Sequence, residues 1–135
     1  MASINQICAE VVQNVDGAVG CAVVDLSTGL MLGVHHTVPY FTQSYLDAVA
    51  AAAVDMFRGR TVTAVEELLS NIRGVKTEHS IKEVQMSTDK TFHFMSIVPD
   101  RPQSLVVLIT TKKANLGMGW AGLRRALPKI TPLCP

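Results

Sequence analysis

The residues of this chain best suited to chemistry are few and badly spaced for it. His35 and His36 are neighbours, and on a strand adjacent side chains point to opposite faces, so the two cannot readily share one ion. No Cys or further His stands at the short spacing a zinc-type site uses, and His35, His36, His79 and His93 are expected to be structural or solvated; no metal ligand is assigned. A nucleophile needs a Ser or Cys beside a base and an acid. Cys8 falls on an apolar helical stripe and Cys21 inside an apolar strand, where thiols are inert. Cys134 lies in the tail and is expected to be exposed, with Lys129 as its nearest cation in sequence. No Gly-x-Ser-x-Gly elbow occurs. Gly117-Met-Gly119 falls within a helix, and Gly74-Val-Lys76-Thr77 lacks the earlier glycine of a phosphate loop. The Gly117 and Gly119 pair reads instead as a place where a helix packs closely on a sheet. The chain is therefore expected to be no enzyme, with no catalytic residue and no cofactor.

The charged residues say little more. Lys112, Lys113, Arg124, Arg125 and Lys129 gather around the last helical segment. Their plain reading is a solvated face with charge favourably placed near a helix C-terminus. Arg124 and Arg125 are the candidates for partner contact, because guanidinium forks match carboxylates. The net charge is +1 with no run of one sign, so nucleic-acid binding through many phosphate contacts is not expected.

The elements that must position these residues are legible in the hydrophobic pattern. Ser3 caps a helix over Ile4–Val15, whose Ile4, Ile7, Cys8, Val11, Val12 and Val15 recur at helical spacing. Asp16-Gly17 ends it. Ala18–Leu26 is almost wholly apolar and reads as a central strand covered on both faces. Ser27-Thr28-Gly29 turns the chain into an antiparallel strand over Leu30–His36, with Leu30, Leu32 and Val34 on one face and Met31, Gly33 and His35 on the other. After a loop over Thr37–Thr42, capped by Thr42 or Ser44, the alanine-rich Gln43–Arg58 is a strong helix former. Gly59 interrupts it. Thr63-Ala-Val-Glu66 matches a capping box for a further helical stretch with Val62, Val65, Leu69 and Ile72 on its apolar face, ended by Arg73-Gly74. Ile81–Ser87 is an amphipathic strand whose Lys82, Glu83 and Gln85 suit a sheet edge. Phe92, Phe94, Ser96 and Val98 alternate with His93, Met95 and Ile97. Pro99-Asp-Arg-Pro102 reads as a rigid loop, Ser104–Thr111 as a second buried strand, and Asn115 as the cap of a last helix in which Leu116, Trp120, Leu123 and Leu127 share a face. Pro128 and Pro132 close the domain.

The sum is an α/β fold of the α+β type. A five-stranded antiparallel sheet is flanked by helices on both faces, in the order α-β-β-α-β-β-β-α and within one domain over residues 1–135. Only 17% of the residues are charged, 48% are hydrophobic and the mean hydropathy is positive, a surface economy that suggests an oligomer. The alanine-rich helix has two apolar stripes. Tyr45, Val49, Ala52 and Met56 are distinct from Leu46, Ala50, Ala53 and Phe57, and a lone surface helix needs only one. The longest apolar runs are about a dozen residues against the ~20 needed to span a bilayer, no signal peptide is apparent, and the unpaired cysteines suit a reducing compartment; a cytoplasmic protein without membrane insertion is expected.

Asp16-Gly-Ala-Val-Gly-Cys-Ala-Val-Val-Asp25, Gly29-Leu30, Ala48–Val54, Leu105–Thr110 and Asn115-Leu-Gly117 through Leu123-Arg-Arg125 together resemble the Roadblock (dynein light-chain) family over residues 3–130. The stretch Arg58–Thr77 is longer than that family's usual connection. The resemblance implies a profilin-like sheet-and-helix architecture and a homodimer in which the second helix pairs with its twin and the third strand pairs across the dimer edge. Tyr45, Ala48, Val49, Ala51, Ala52, Met56, Ile81, Glu83 and Gln85 would then form the interface. It also implies a non-catalytic adaptor that scaffolds a larger complex or binds and modulates a small Ras-like GTPase. The alternative is a small-ligand sensor of profilin-like or PAS-like type, its pocket lined by Met31, Met86, Phe94 and Met95.

Overall fold

The computed structural model describes residues 2–135. Its elements are α1 (Ile4–Asn14), β1 (Ala18–Asp25), β2 (Leu30–His36), α2 (Gln43–Arg58), α3 (Arg60–Arg73), β3 (Glu83–Ser87), β4 (Thr91–Val98), β5 (Arg101–Thr111) and α4 (Leu116–Ile130), followed by one 3-10 turn over Thr131–Leu133. The five strands form one antiparallel sheet in the order β2-β1-β5-β4-β3. β1 and β5 are central, which is why both read as continuous apolar runs. The order is the expected one, with the long helical region divided into two helices.

Three of the four α-helices, α1, α2 and α4, begin where a side chain satisfies free amides. Ser3 and Gln6 form a reciprocal capping box on α1, Thr42 accepts from the Tyr45 amide, and Asn115 accepts from the Met118 amide at 2.8 Å. Each of these caps satisfies one of the four amides a helix start leaves free.

The sheet divides two cores. On one face α1 and α4 close over Cys21, Val23, Phe94, Val98, Val106 and Leu108, with Ile7, Cys8, Val11, Leu123 and Ile130 from the helices. On the other, Leu46, Ala50, Ala53 and Phe57 of α2 pack over Val24, Met95, Leu105, Val107 and Ile109. The inner stripe of α2 is thus the one the helical spacing separated from its outer stripe.

Several local expectations are corrected. The capping box at Thr63 does not form. α3 begins at Arg60 with Gly59 as its N-cap, Thr63 lies inside it donating to the Gly59 carbonyl at 3.0 Å, and Glu66 turns elsewhere. Gly59 ends α2 as well, and a Cβ there would lie 2.3 Å from the Asp55 carbonyl oxygen, so close backbone approach selects glycine. β3 is two residues shorter than Ile81–Ser87. Pro99–Pro102 is not all loop: the turn is Pro99-Asp100, with Asp100 at φ 62°, and β5 already starts at Arg101. Pro128, read with Pro132 as closing the domain, sits exposed within the last helix. In β2, Met31 and Val34 both face the α2 core and Leu32 the other. The register slips opposite Val23 and Val24, and such an extra residue breaks strict alternation without any sequence mark.

Candidate functional site

The two sheet edges differ. At β2 the outward Val34 amide donates to Asn5 Oδ1 at 2.8 Å, and Ile4 of α1 lies against Gly33. That edge is closed by the chain itself. At β3 the Lys82 carbonyl accepts from the Ile97 amide, and the Thr88 amide donates to the Thr91 carbonyl. By alternation Glu83, Gln85 and Ser87 direct their backbone groups away from the sheet. Among the described residues none of these three amides or carbonyls has a backbone partner on that side. An edge strand with free donors and acceptors is a template for another strand.

The outer stripe of α2 lies on one face of the sheet, its N-terminal half toward β2. Tyr45, Ala48, Ala51 and Ala52 are exposed and Val49 and Met56 half-buried. Tyr45 stacks on Phe41, ring centres 4.7 Å apart and 17° from parallel, so its ring is held rather than free. Met56, Ile81 and Val84 pack against the same core. The small alanines let another surface come close. A different helix-to-sheet tie fixes the far end of α2: Arg58 donates to the Pro102 carbonyl at 2.6 Å.

Arg124 and Glu83, expected to serve separate contacts, find each other. The guanidinium donates to both Glu83 carboxylate oxygens at 3.1 and 3.2 Å and lies 5.0 Å from the Trp120 ring. Arg124 is therefore engaged within its own chain, which corrects its reading as a free donor. Arg125 is exposed beside the shallow recess between α1 and α4. Lys113 pairs with Asp16 at 3.6 Å and Lys129 with Glu10 at 3.3 Å.

The thiols sit away from any chemistry. All three are free and buried, Cys134 included, contrary to its expected exposure. Contact with Cys8, together with burial, holds the Cys21 thiol well above its ordinary value, and burial pushes Cys134 up as well. Raised values favour the unreactive thiol. Burial lowers His93, which faces the α2 side of the sheet.

The residues proposed to line a ligand pocket do not meet. Phe94 belongs to the core under α1 and α4, Met95 and Met31 to the core under α2, and Met86 is exposed on the edge strand. The space between α2 and the sheet, bordered by Met31, Phe41 and Val107, is about 20 Å³, room for about one water. No group of three or more metal-binding side chains occurs among the described residues, and no helix there is long and apolar enough to cross a membrane.

Sequence reasoning missed two features. Glu66 is buried, with its carboxylate accepting from the Ser80 amide at 2.7 Å and the Ser80 hydroxyl at 2.5 Å. The Ser80 hydroxyl first, then its amide, hold the Glu66 carboxyl below its ordinary value. Of the apolar face of α3 read as Val62, Val65, Leu69 and Ile72, Val65 and Ile72 turn outward to solvent, a partial inversion, while Val62 and Leu69 are half-buried. The signal for the inversion lay in Glu66 and Ser70, whose spacing puts two polar groups on one side of the helix.

No protein-family model and no curated protein matches this sequence. Solved structures do match. A Roadblock/LC7 domain from Streptomyces avermitilis superposes with a TM-score of 0.71 at 16% identity, over 97% of each chain. MglB of Myxococcus xanthus gives 0.70 at 17% identity over 96% of this chain and 86% of that one. MglC of the same organism gives 0.59 at 21% identity over 96% and 97%. At such identities the likeness is carried by element order and sheet topology rather than by matching side chains. The chain has the Roadblock/LC7 fold.

Proposed function

We propose that this protein is a non-catalytic adaptor that acts as a homodimer and binds and regulates a small Ras-like GTPase. The observation that carries the reading is the asymmetry of the sheet: β2 is closed by Asn5 and β3 is open, while α2 shows an exposed stripe of small residues on one face of the molecule. Pairing of two β3 strands satisfies the outward groups of Glu83, Gln85 and Ser87 and brings the outer α2 stripes, with Tyr45, Ala48, Val49, Ala51, Ala52 and Met56, toward one another. Ile81 flanks that contact at half-burial. The raised thiols and the unassembled pocket residues support a binding role over catalysis or ligand sensing. The GTPase is the partner that the Roadblock resemblance implies, and Arg125 is the exposed cation offered to it.

Two measurements test this. Sedimentation equilibrium should give a dimer at micromolar concentration, and Gln85→Pro, which removes an outward amide, should give a monomer. The tagged protein should retain a small GTPase from extract of its own cells, and retention should differ between GDP and a non-hydrolysable GTP analogue. A parent chain that stays monomeric at tens of micromolar would falsify the dimer. Equal recovery of no GTPase in either nucleotide state would remove the partner.

A further inference from the structure

The end of the chain carries charge of one sign. From Lys112 to Pro135 there are five cations, Lys112, Lys113, Arg124, Arg125 and Lys129, and no Asp or Glu, in a chain whose net charge is only +1. α4 places them along its two flanks. On the flank toward α1, Lys113 reaches Asp16, Lys129 reaches Glu10, and Arg125 borders the recess between the two helices. On the other flank, Arg124 lies over Trp120 and Lys112 over Phe92, 5.0 and 5.5 Å from the ring centres. Between the flanks the crest of α4 is uncharged. Gly117, Met118, Ala121 and Pro128 are all exposed there, opposite the buried Gly119, Leu123, Ala126 and Ile130.

The chain's own carboxylates do not cancel this charge. Asp16, Glu83 and Glu10 meet Lys113, Arg124 and Lys129, but the six side chains are between 41% and 71% exposed. Pairs this wet hold their cations loosely. Lys112 and Arg125 form no ion pair among the described residues.

We propose that the outer face of α4 is a peripheral docking surface for an anionic phospholipid bilayer, with the flanking cations at the headgroups and Met118 at the crest between them. Charge complementarity names the occupant: cations on both sides of an exposed apolar crest match anionic headgroups above acyl chains. Shape separates a bilayer from an acidic peptide. A peptide is held in a groove or on a free strand edge, whereas the recess between α1 and α4 is about 30 Å³, too small for a side chain. The contact requires neither the dimer nor a GTPase, and it sends no segment across the membrane.

Vesicle sedimentation tests it. The protein should bind vesicles of equal parts phosphatidylcholine and phosphatidylserine at least tenfold more tightly than phosphatidylcholine alone, and the gain should fall about tenfold between about 50 and 300 mM salt as the charges are screened. Lys112→Gln with Lys113→Gln, folded by circular dichroism, should lose about tenfold in binding. This variant keeps Arg125, so GTPase retention should match the parent. Arg73→Gln with Lys76→Gln, on the α3 side, should bind vesicles like the parent. The native cysteines are buried, so a polarity-sensitive dye can be placed on one introduced thiol. Its emission should shift to the blue on anionic vesicles in Met118→Cys and stay unchanged in Ile72→Cys. No binding to anionic vesicles, binding indifferent to salt or to Lys112 and Lys113, or a blue shift at position 72 in place of 118 would each overturn the proposal. Retention on immobilised polyglutamate without vesicle binding would also overturn it, and would assign the face to an acidic protein.

Discussion

At the scale of single residues, Glu66 is the side chain with most at stake. It is 7% exposed and bonded twice to Ser80. Charge-assisted bonds of this kind contribute about 1.5–3 kcal/mol, and a buried donor left without its acceptor costs a similar amount. Glu66→Gln is expected to lower unfolding stability by about 1–2 kcal/mol at pH 7. Its carboxyl titrates below the ordinary 4.5 in the fold, so the unfolded chain binds the proton more readily. The stabilisation is complete above about 4.5 and drains away as pH falls through the lower folded value. Urea melts of parent and Glu66→Gln at pH 7 and near pH 3 should therefore converge at the acid end; a constant gap would show that the charge is not the source. The Glu83–Arg124 pair is a different case. Its side chains are 41% and 55% exposed, and pairs this wet are worth about 0–1 kcal/mol. Glu83→Ala should shift monomer stability by less than about 1 kcal/mol, and a larger loss in the same melts would mean the pair is shielded by something else.

At the scale of elements, close approach and edge closure decide more than propensity. A Cβ on Gly119 would lie 2.2–2.7 Å from the Phe94 ring, whereas one on Gly117 would meet only Asn115 Oδ1 at 3.4 Å. Gly119→Ala should therefore destabilise by about 1–3 kcal/mol through overpacking despite better helix propensity. Gly117→Ala, on the exposed side of α4, should be neutral or stabilising by up to about 1 kcal/mol. Thermal melts of the pair check the contrast, which disappears if α4 can slide away from β4. Asn5→Ala leaves the outward Val34 amide without its acceptor and should cost about 0.5–1.5 kcal/mol. Exchange of the Val34 amide, followed by NMR, should speed up; unchanged protection would place the closure of β2 elsewhere. These elements were largely readable. Ser3, Thr42 and Asn115 announced their helices, and the unbroken apolar runs of β1 and β5 announced the sheet centre. The slip in β2 at Leu32 was not readable, because a bulge changes which residue faces which core without changing composition. The start of β5 at Arg101 was hidden by the prolines, which a sequence reading takes as loop.

At the scale of the whole molecule, the chain has one closed sheet edge at β2, one open edge at β3 and an exposed alanine stripe on α2. A homodimer should make the thermal midpoint rise with protein concentration, by mass action, where a monomer's would not. Melts across a hundredfold range of concentration test this, and a flat midpoint would count against association in the folded state. The residues of the proposed interface, among them Tyr45, Ala48, Ala52, Glu83 and Gln85, were named from helical spacing, strand polarity and the Roadblock resemblance. Placement of Glu83 against Arg124 was invisible, since the two are 41 positions apart and the contact exists only once α4 lies over β3 and β4.

The sequence by itself determined what depends on local periodicity and capping: which segments are helices or strands, which strands are central, and which face of α2 goes inward. Only the tertiary structure decided the rest. It closed β2 with a side chain from α1 and left β3 open. It buried Glu66 and turned Val65, Leu68 and Ile72 outward, and it sent Phe94 and Met95 to different cores. Each of these outcomes depends on which distant element arrives as a neighbour, and hydrophobic spacing along a helix states that a face wants cover without stating whether its own chain or another copy supplies it.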